Sequence, residues 1–479
     1  MSPPAAGSAP PLPQAPFSAS WRSVAGLLLA LLAVKAVWLW GDPGMRVFMG
    51  DSGSYLHSAL TGWIPTDRSF TYGWLVRHSA LAWQSPMALV LLQTGAGLAS
   101  GLLLFWLLQR RLAVGAGLAA AAALLLALDP LQLLYERMMM AEAAGSLALV
   151  GHVAMLAAFA SSGRWRWMAL AAVAGIAAVS LRFSLLPVVV GLAATVPVAV
   201  ALWGPRRGPR WRSLLLHLGV AAITTFAAHQ AYTRYYGQLF GSEPTYLQAR
   251  GMMRIGLVAP LVRAEHFRDT GVPGTVLDEV KLDLRDPRQR EAHVWHPEGL
   301  YAALARHTGD PERVARKITS RALRSDRWAV VRLGLVNLSD YFDAPLLQHR
   351  LQDDLGRRAP DPGMVEALRE HLGYDYRGVA EGRTPVTTWF EAGWPWMLAC
   401  LFGLAPVATL ALLLGWRSPQ RAPLAVLWLA SMGLVASLAL FSHIPSLRYL
   451  HPLPFFMLAN LAVVADQLRR RRQGPGVAR

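Results

Sequence analysis

The chain has 479 residues, of which 54% are hydrophobic and only 16% charged, yet its formal net charge is +17. Soluble proteins carry about 25% charged residues, so this composition excludes a strongly solvated or disordered chain and indicates a protein that resides in a membrane. The single cysteine, Cys400, excludes an intramolecular disulfide and a cysteine-based metal cluster.

The apolar blocks of the chain predict its fold. Residues 1–20 are rich in Pro, Ala and Ser without an apolar period, which predicts a disordered tail. The blocks that follow have about the length needed to cross roughly 30 Å of hydrocarbon as a helix. They cover residues 22–40, 85–108, 112–128, 139–160, 167–181, 185–203, 211–229, 393–415, 422–442 and 449–465. We therefore predict an all-α polytopic membrane protein with about ten transmembrane helices.

Short basic loops set the predicted orientation. They contain Arg110-Arg111, Arg164 with Arg166, the run 206–212, Arg417 with Arg421, and Arg469–Arg472, and they fall on alternate sides of the spans. Because basic loops stay in the cytoplasm, both termini are predicted to be cytoplasmic. The strong Arg and Ala bias is typical of a GC-rich bacterium, so we expect the chain to reside in a bacterial inner membrane. The positive charge is then explained by topology and by contact with anionic membrane lipids, and we expect no nucleic acid partner.

This orientation divides the chain into the cytoplasmic tail and three further parts. An N-terminal transmembrane module with about seven spans covers 21–229, and a C-terminal module with about three spans and a basic tail covers 391–479. The first outer loop, 41–84, and the polar segment 230–390 are predicted to face the periplasm.

The polar segment contains two helix-like stretches. Residues 310–324 predict a helix capped by Asp310, and 326–342 predict an amphipathic helix, rich in aromatics at its edges, along the membrane surface. The polar segment is therefore expected to be mainly helical. No residues in this segment have catalytic spacing.

Two apparent motifs in the polar segment carry less weight. His293 and His296 have ligand-like residue types with Glu298, but Pro297 breaks the helix that would align them for a metal. The pair Asp353-Asp354 is interpreted as a solvated turn.

Two acidic residues are candidates for chemistry. Asp51 follows the first span, before a short amphipathic helix predicted from Ser52 to Trp63, so its role is either functional or that of a helix cap. Glu142 lies inside or at the rim of the fourth span, where an ionisable group indicates function. The structural alternative for Glu142 is an ion pair with Arg137 or Arg182.

Two basic residues are predicted on the same face as these acids. Arg182 separates two apolar blocks, and Arg448 precedes the last span. Arginine binds phosphate oxygens through its fork of donors, although either residue could instead anchor the protein at the interface. His443 and His451 flank Arg448 and are candidates to line the same site.

In its order of motifs the chain resembles the GT-C superfamily of polytopic glycosyltransferases, in the branch of protein O-mannosyltransferases and lipid A aminoarabinose transferases. The resemblance is carried by Asp51 with Tyr55, the string Asp67-Arg68-Ser69-Phe70-Thr71-Tyr72-Gly73, Gln93, Asp129-Pro130, Glu142, Leu181-Arg182-Phe183, and Arg448-Tyr449-Leu450 with Pro452. It covers the transmembrane part of the chain.

The resemblance implies an inverting sugar transfer from a polyprenyl-phosphate donor to a hydroxyl on a lipid, glycan or protein acceptor, outside the cytoplasm. Asp51 would be the general base, and Arg448, with Arg182, would hold the donor phosphate. Glu142 would orient an acceptor, a basic group or a metal. Tyr449 would join the phosphate-binding residues, and the residues shaping the cleft would be Tyr55, Arg68, Tyr72, Gln93 and His443.

The chain departs from the family pattern at two places. Ser52 stands where many members have a second acid, which weakens the expectation of a divalent metal, and no other cofactor is expected. The string Phe70-Thr71-Tyr72-Gly73 replaces a Pro-Gly-Tyr-Pro run, which leaves sugar specificity open.

Two other classes of function remain open at this stage. A transporter or flippase for a lipid-linked saccharide would place polar groups near the bilayer midplane and often has repeated halves. A non-catalytic envelope-assembly protein would tolerate neutral replacement of Asp51, Glu142 and Arg448 together.

Overall fold

The described part of the chain is helical throughout its regular elements. The computed structural model describes residues 21–205, 209–357, 360–376 and 382–473, so the predicted tail 1–20 lies outside it. The first ten helices are α1 (Trp21–Gly41), α2 (Met49–Thr61), α3 (Thr71–Val76), α4 (Pro86–Arg110), α5 (Ala116–Ala127), α6 (Pro130–Tyr135), α7 (Glu142–Ser162), α8 (Trp165–Leu181), α9 (Leu186–Trp203) and α10 (Arg210–Phe240).

The second half of the chain continues the helical pattern. Its helices are α11 (Arg250–Val258), α12 (Ala292–Trp295), α13 (Leu300–His307), α14 (Pro311–Ser325), α15 (Arg327–Ser339), α16 (Ala344–Asp354), α17 (Pro362–Leu372), α18 (Pro385–Leu414), α19 (Arg421–Phe441) and α20 (Leu453–Arg472). Short 3-10 turns lie between several of them, and no β-strand occurs in the ranges that the structure describes.

Eight described helices are long and apolar enough to cross a membrane, and α5 and α8 are shorter apolar helices. These ten segments lie at the ten positions predicted from the sequence, which confirms an all-α polytopic membrane protein. The predicted span 112–128 is too long, because α5 has 12 residues and covers only about 18 Å. Helix α5 ends at Ala127, before Asp129, which caps α6 by accepting the amide of Gln132 at 2.8 Å.

The helix boundaries at the site differ slightly from the sequence prediction. The span expected at 139–160 begins as α7 at Glu142, so this acid occupies the first turn of its helix. The connection at Arg182 is a real break: α8 ends at Leu181, and a 3-10 turn at 183–185 leads into α9.

The polar segment 230–390, called the outer segment below, contains a cluster of buried apolar side chains of its own, between Ile255 and Ala322. The predicted helix at 310–324 is confirmed as α14, with Asp310 accepting the amide of Arg313 at 3.0 Å. The stretch 326–342 forms α15 and a short 3-10 turn. There Asn337 donates to the carbonyl of Leu438 at 3.2 Å, which fixes α15 against the end of α19.

Several basic loops meet at one end of the helical bundle. Arg470 donates to the carbonyl of Ala113, and Arg471 donates to that of Leu414 at 3.3 Å. Asp466 accepts the amide of Gly115 at 3.2 Å. Three of the loops predicted to be cytoplasmic, those after α4, α18 and α20, therefore share a side, and Glu142 and Arg448 lie at the opposite ends of α7 and α20.

Candidate active site

Helix α2 presents Asp51 without using it as a cap. The N-cap position is Phe48, whose amide donates to the hydroxyl of Ser52 at 2.7 Å. Ser52 in turn donates to the carbonyl of Met139 at 2.8 Å and is fully buried. The interpretation of Asp51 as a helix cap is therefore wrong. Ser52 thus anchors the start of α2 to the chain before α7.

The Asp51 carboxylate is held between two arginines. Its Oδ1 accepts Nη1 of Arg68 at 2.5 Å, and its Oδ2 accepts Nη1 of Arg448 at 2.8 Å. Burial acts to raise the pKa of Asp51, but Arg448 and Arg68 outweigh it and hold the pKa below its ordinary value. Asp51 is therefore ionised at neutral pH, and both of its oxygens are engaged.

The same arginines make further contacts around the carboxylate. Arg448 Nη2 donates to the hydroxyl of Tyr449 at 2.9 Å, and its guanidinium carbon lies 5.0 Å from the ring centroid of Phe48. Arg68 Nη2 also pairs with Asp67 at 2.7 Å. These contacts fix the two guanidinium planes beside Asp51.

A second ion pair lies at the start of α7. Arg182 Nη2 is 3.7 Å from Glu142 Oε1, and both side chains are buried. Of the two partners considered for Glu142 the structure has Arg182, since Arg137 instead donates to the carbonyls of Asp42 and Leu133. Nη1 of Arg182 is buried without a hydrogen-bond partner in the described part of the chain, so it can receive an anion.

These groups line one cavity of about 980 Å³. Of the residues predicted for the site, those on its wall are Asp51, Tyr55, Arg68, Glu142, Arg182, His443, Arg448 and Tyr449. The sequence order alone did not show that residues from five separate parts of the chain share one cavity.

Tyr72 and Gln93 do not line this cavity, which corrects their assignment to the cleft. Both are buried, and the Tyr72 hydroxyl donates to Gln93 Oε1 at 2.8 Å. Gln93 Nε2 donates to the carbonyls of Glu136 and Met138 at 3.1 and 2.9 Å. The pair thus holds the irregular chain before α7, one layer behind the cavity wall.

Asp353 and Asp354 were missed, and their interpretation as a solvated turn is wrong. Both are buried at the end of α16 and line the cavity. Asp354 accepts the Ser446 hydroxyl and the Leu447 amide, each at 2.9 Å, and burial raises its pKa to about 6. The sequence signal was the seven-residue separation of Asp354 from the buried Leu347, which puts both on one helix face.

Another part of the cavity wall is apolar. Leu181, Phe183 and Leu186 line it at the α8–α9 connection, and Leu438 and Phe441 line it at the end of α19. The cavity therefore joins a charged region to an apolar surface between two membrane helices, as an amphiphilic ligand requires.

The outer segment supplies a further wall that sequence reasoning missed. Arg250 and Arg254 of α11 line it together with Trp295, whose side chain is exposed to the cavity. The guanidinium carbon of Arg68 lies 6.0 Å from the Trp295 ring centroid. This wall therefore lies beside the Asp51 ion pairs.

The side chains do not present a ligand set for a divalent cation. No group of three or more His, Cys, Asp or Glu side chains suited to a metal occurs in the described ranges. His293 is buried whereas His296 is exposed, and Glu298 pairs with Lys281 at 2.9 Å. Asp51 and Glu142 both face arginine, so the cavity fits an anion better than a metal.

No family model matches the chain, and no curated protein matches it. Among solved structures it is similar to the archaeal oligosaccharyltransferase AglB from Archaeoglobus fulgidus, in complex with an inhibitory peptide and a dolichol-phosphate, with a TM-score of 0.42 and 13% identity. The match covers 96% of this chain and 53% of AglB, so the chain spans about half the length of that protein. At this level of similarity, function has to be argued from the cavity itself.

Proposed function

We propose that the chain is a membrane glycosyltransferase that moves a sugar from a polyprenyl-phosphate donor to a hydroxyl acceptor, with inversion, on the periplasmic side of a bacterial inner membrane. The observation that carries this proposal is the cavity, in which a paired carboxylate, several arginines and an apolar wall meet. The proposal agrees with the family resemblance of the sequence.

The shape of the cavity supports a lipid-phosphate donor. The phosphate would bind at Arg448 and Arg182, where buried N–H groups of both arginines have no partner within the described chain. The polyprenyl tail would leave along the apolar wall between α9 and α19, towards the membrane interior. A water-soluble sugar nucleotide would gain nothing from that wall.

The proposed reaction is a single displacement at the anomeric carbon. The acceptor hydroxyl oxygen forms the new bond to this carbon while the bond to the donor phosphate oxygen breaks, which inverts the configuration. Asp51 takes the hydroxyl proton, and Arg448 and Arg182 stabilise the departing polyprenyl phosphate anion. Glu142, in its ion pair with Arg182, keeps that arginine in place.

The ion pairs of Asp51 also explain how its basicity would rise when donor binds. Burial acts to raise the pKa of Asp51 in the donor-free protein, but Arg448 and Arg68 together hold this pKa below its ordinary value. A donor phosphate competes with Asp51 for Arg448, and each guanidinium withdrawn from the carboxylate raises the pKa of Asp51. We therefore expect the base to be strengthened only when the donor is bound.

The test is complementation of cells that lack the chain, followed by mass spectrometry of envelope lipids, glycans and proteins. Wild type should restore a sugar increment on one of these classes, and Asp51→Asn should not. The matched control is Asp466→Asn, because Asp466 also pairs with two arginines, at 3.0 and 2.6 Å, but at the other end of the bundle.

Membrane levels and melting temperatures of the two variants have to be compared first. A sugar increment restored in full by Asp51→Asn would contradict the assignment of Asp51 as base. Translocation of a lipid-linked saccharide in proteoliposomes without any sugar transfer would instead indicate a carrier.

A further inference from the structure

Helix α11 brings two positively charged side chains to the outer wall of the cavity. Arg250 and Arg254 are four residues apart, so they lie on the same face of α11, and both line the cavity. They belong to the outer segment, whereas Arg182 and Arg448 belong to the membrane helices and their connections.

The other arginines that line the cavity already have carboxylate partners. Arg68 and Arg448 pair with Asp51, Arg182 with Glu142, and Arg350 with Glu291 at 2.9 Å. Among the described residues, no carboxylate forms an ion pair with Arg250 or Arg254. Arg250 Nε is buried without a hydrogen-bond partner, and Arg254 Nη1 donates only to the Ser320 hydroxyl, at 3.2 Å.

Glu312 contacts α11 through backbone amides and not through its arginines. The two carboxylate oxygens of Glu312 accept the amides of Gly251 and Met252, at 2.7 and 2.9 Å. Burial, followed by the neighbouring charges of Arg316 and Arg254, lowers the pKa of Arg250. Glu312 and Glu243 oppose this shift, but Arg250, Arg254 and Arg316 leave an excess of positive charge beside the cavity, which favours the binding of an anion.

We infer that Arg250 and Arg254 form a second anion-binding subsite, which takes a phosphate or carboxylate group carried by the acceptor. This inference rests on the proposed function. Arg448 and Arg182 already serve the donor phosphate, next to the apolar exit for the lipid tail. Arg250 and Arg254 stand on α11 in the part of the cavity wall that also holds Trp295, so we assign them to the acceptor and not to the donor phosphate.

Trp295 adds a feature to the same wall that suits a sugar ring next to the anionic group. Its exposed indole belongs to the outer segment and lies beside Arg68, which contacts Asp51. An acceptor held by Arg250 and Arg254 could stack on this ring and present a hydroxyl towards Asp51. The acceptor class is then an acidic saccharide, free or lipid-linked.

The inference is tested by binding of inorganic phosphate to the purified full chain in uncharged detergent, with the donor site saturated by a polyprenyl phosphate. Wild type should still bind phosphate, and Arg250→Gln/Arg254→Gln should bind it at least about tenfold more weakly, since a charge-assisted hydrogen bond contributes about 1.5–3 kcal/mol. The control is Arg313→Gln/Arg332→Gln, which removes two exposed arginines that pair with Asp310 and Asp326 outside the cavity. The control should bind phosphate as wild type does.

Because neither arginine has a carboxylate partner, the melting temperature of the Arg250→Gln/Arg254→Gln variant should be equal to or above that of wild type. Equal phosphate affinity of this variant and wild type would overturn the inference. So would complete loss of phosphate binding to wild type when polyprenyl phosphate is present. The inference would also be overturned if the variant bound inorganic phosphate as wild type does and bound only vesicles of anionic phosphatidylglycerol more weakly. The ligand would then be a membrane headgroup.

This binding assay needs no sugar transfer, so its result is independent of the Asp51 test. Suppose that Arg250→Gln/Arg254→Gln loses phosphate binding while Asp51→Asn transfers sugar normally. The assignment of Asp51 as base would then be contradicted, and the anion-binding subsite would be supported. Once an acceptor is identified, the same variant should raise the acceptor KM at unchanged donor KM.

Discussion

At the scale of single residues, the site depends on positions that leave space for its arginines. Gly145 lies one turn after Glu142 on α7, and the aliphatic stem of Arg182 crosses it. A Cβ added at Gly145 would lie 2.9 Å from Arg182 Cδ and 3.0 Å from Cγ. This glycine therefore gives Arg182 the path that brings its guanidinium to Glu142 and into the cavity.

Replacing Gly145 by alanine should lower sugar transfer by about tenfold to a hundredfold, because loss of one electrostatic donor at a leaving anion costs up to about 10²–10³ in kcat. The matched control is Gly151→Ala on the same helix, where the new Cβ would meet its nearest atom only at 4.0 Å. Initial rates measured on the two purified variants decide this prediction. Equal rates would show that Arg182 does not act on the donor.

Asp354 gives a prediction on stability as a function of pH. Burial raises its pKa to about 6, although Ser446 and Arg448 oppose the shift. The native protein therefore holds this proton more firmly than the unfolded chain. The resulting stabilisation is complete below about pH 4 and is lost as the pH rises through about 6.

Asp354→Asn is neutral at every pH and should melt at a higher temperature, relative to wild type, at pH 8 than at pH 4. The difference corresponds to about 3 kcal/mol at most. The hydrogen bond lost in the variant is lost at both pH values, so the pH dependence is the measured quantity. Thermal unfolding in detergent provides it, with Glu366→Gln on the exposed face of α17 as the control. A pH-independent difference would contradict the raised pKa.

At the scale of secondary-structure elements, a buried polar cluster joins α1, α4 and the chain after α6. Lys35 Nζ donates to Glu136 Oε1 at 2.7 Å and to the carbonyl of Ala127 at 3.0 Å, and both charged side chains are buried. Gln132 donates to the same Glu136 oxygen at 2.9 Å. Gly97 of α4 gives room for this carboxylate, since a Cβ there would overlap Glu136 Oε1.

Lys35→Met should destabilise the protein by about 3–5 kcal/mol, because it leaves the charge of Glu136 buried and unpaired. The double variant Lys35→Met/Glu136→Gln should recover most of this loss, since a neutral amide remains. Melting temperatures of the two variants and wild type measure both effects. No recovery in the double variant would mean that Lys35 acts by packing alone.

Helix positions could be predicted from the sequence because hydrocarbon length and hydrophobicity determine them locally. The burial of Asp354 and the pairing of Tyr72 with Gln93 could not, because both depend on residues distant in the chain. The ion pair between Asp51 of α2 and Arg448 joins residues that are 397 positions apart in the chain. Asp51 and the arginines could be proposed as candidates from the sequence, whereas their contact could be seen only in the fold.

At the scale of the whole molecule, the charges divide the chain into two ends. The loop after α4 and the last turn of α20 share one end through Arg470 and Ala113, and the Asp51 cavity lies at the other. The positive-inside rule predicts that the first of these ends is cytoplasmic. The proposed reaction then occurs outside the cytoplasm, where the acceptor has to be delivered.

The single cysteine makes this orientation directly measurable. In a Cys400→Ala background, Ser242→Cys introduces an exposed thiol after α10, on the cavity side, and Gln473→Cys introduces one after α20. A membrane-impermeant maleimide added to spheroplasts should label the first variant at once and the second only after lysis. The reverse pattern would put the Asp51 cavity in the cytoplasm. Because a periplasmic lipid-linked donor could not then reach Asp51, this result would also remove the proposed reaction from the periplasmic face.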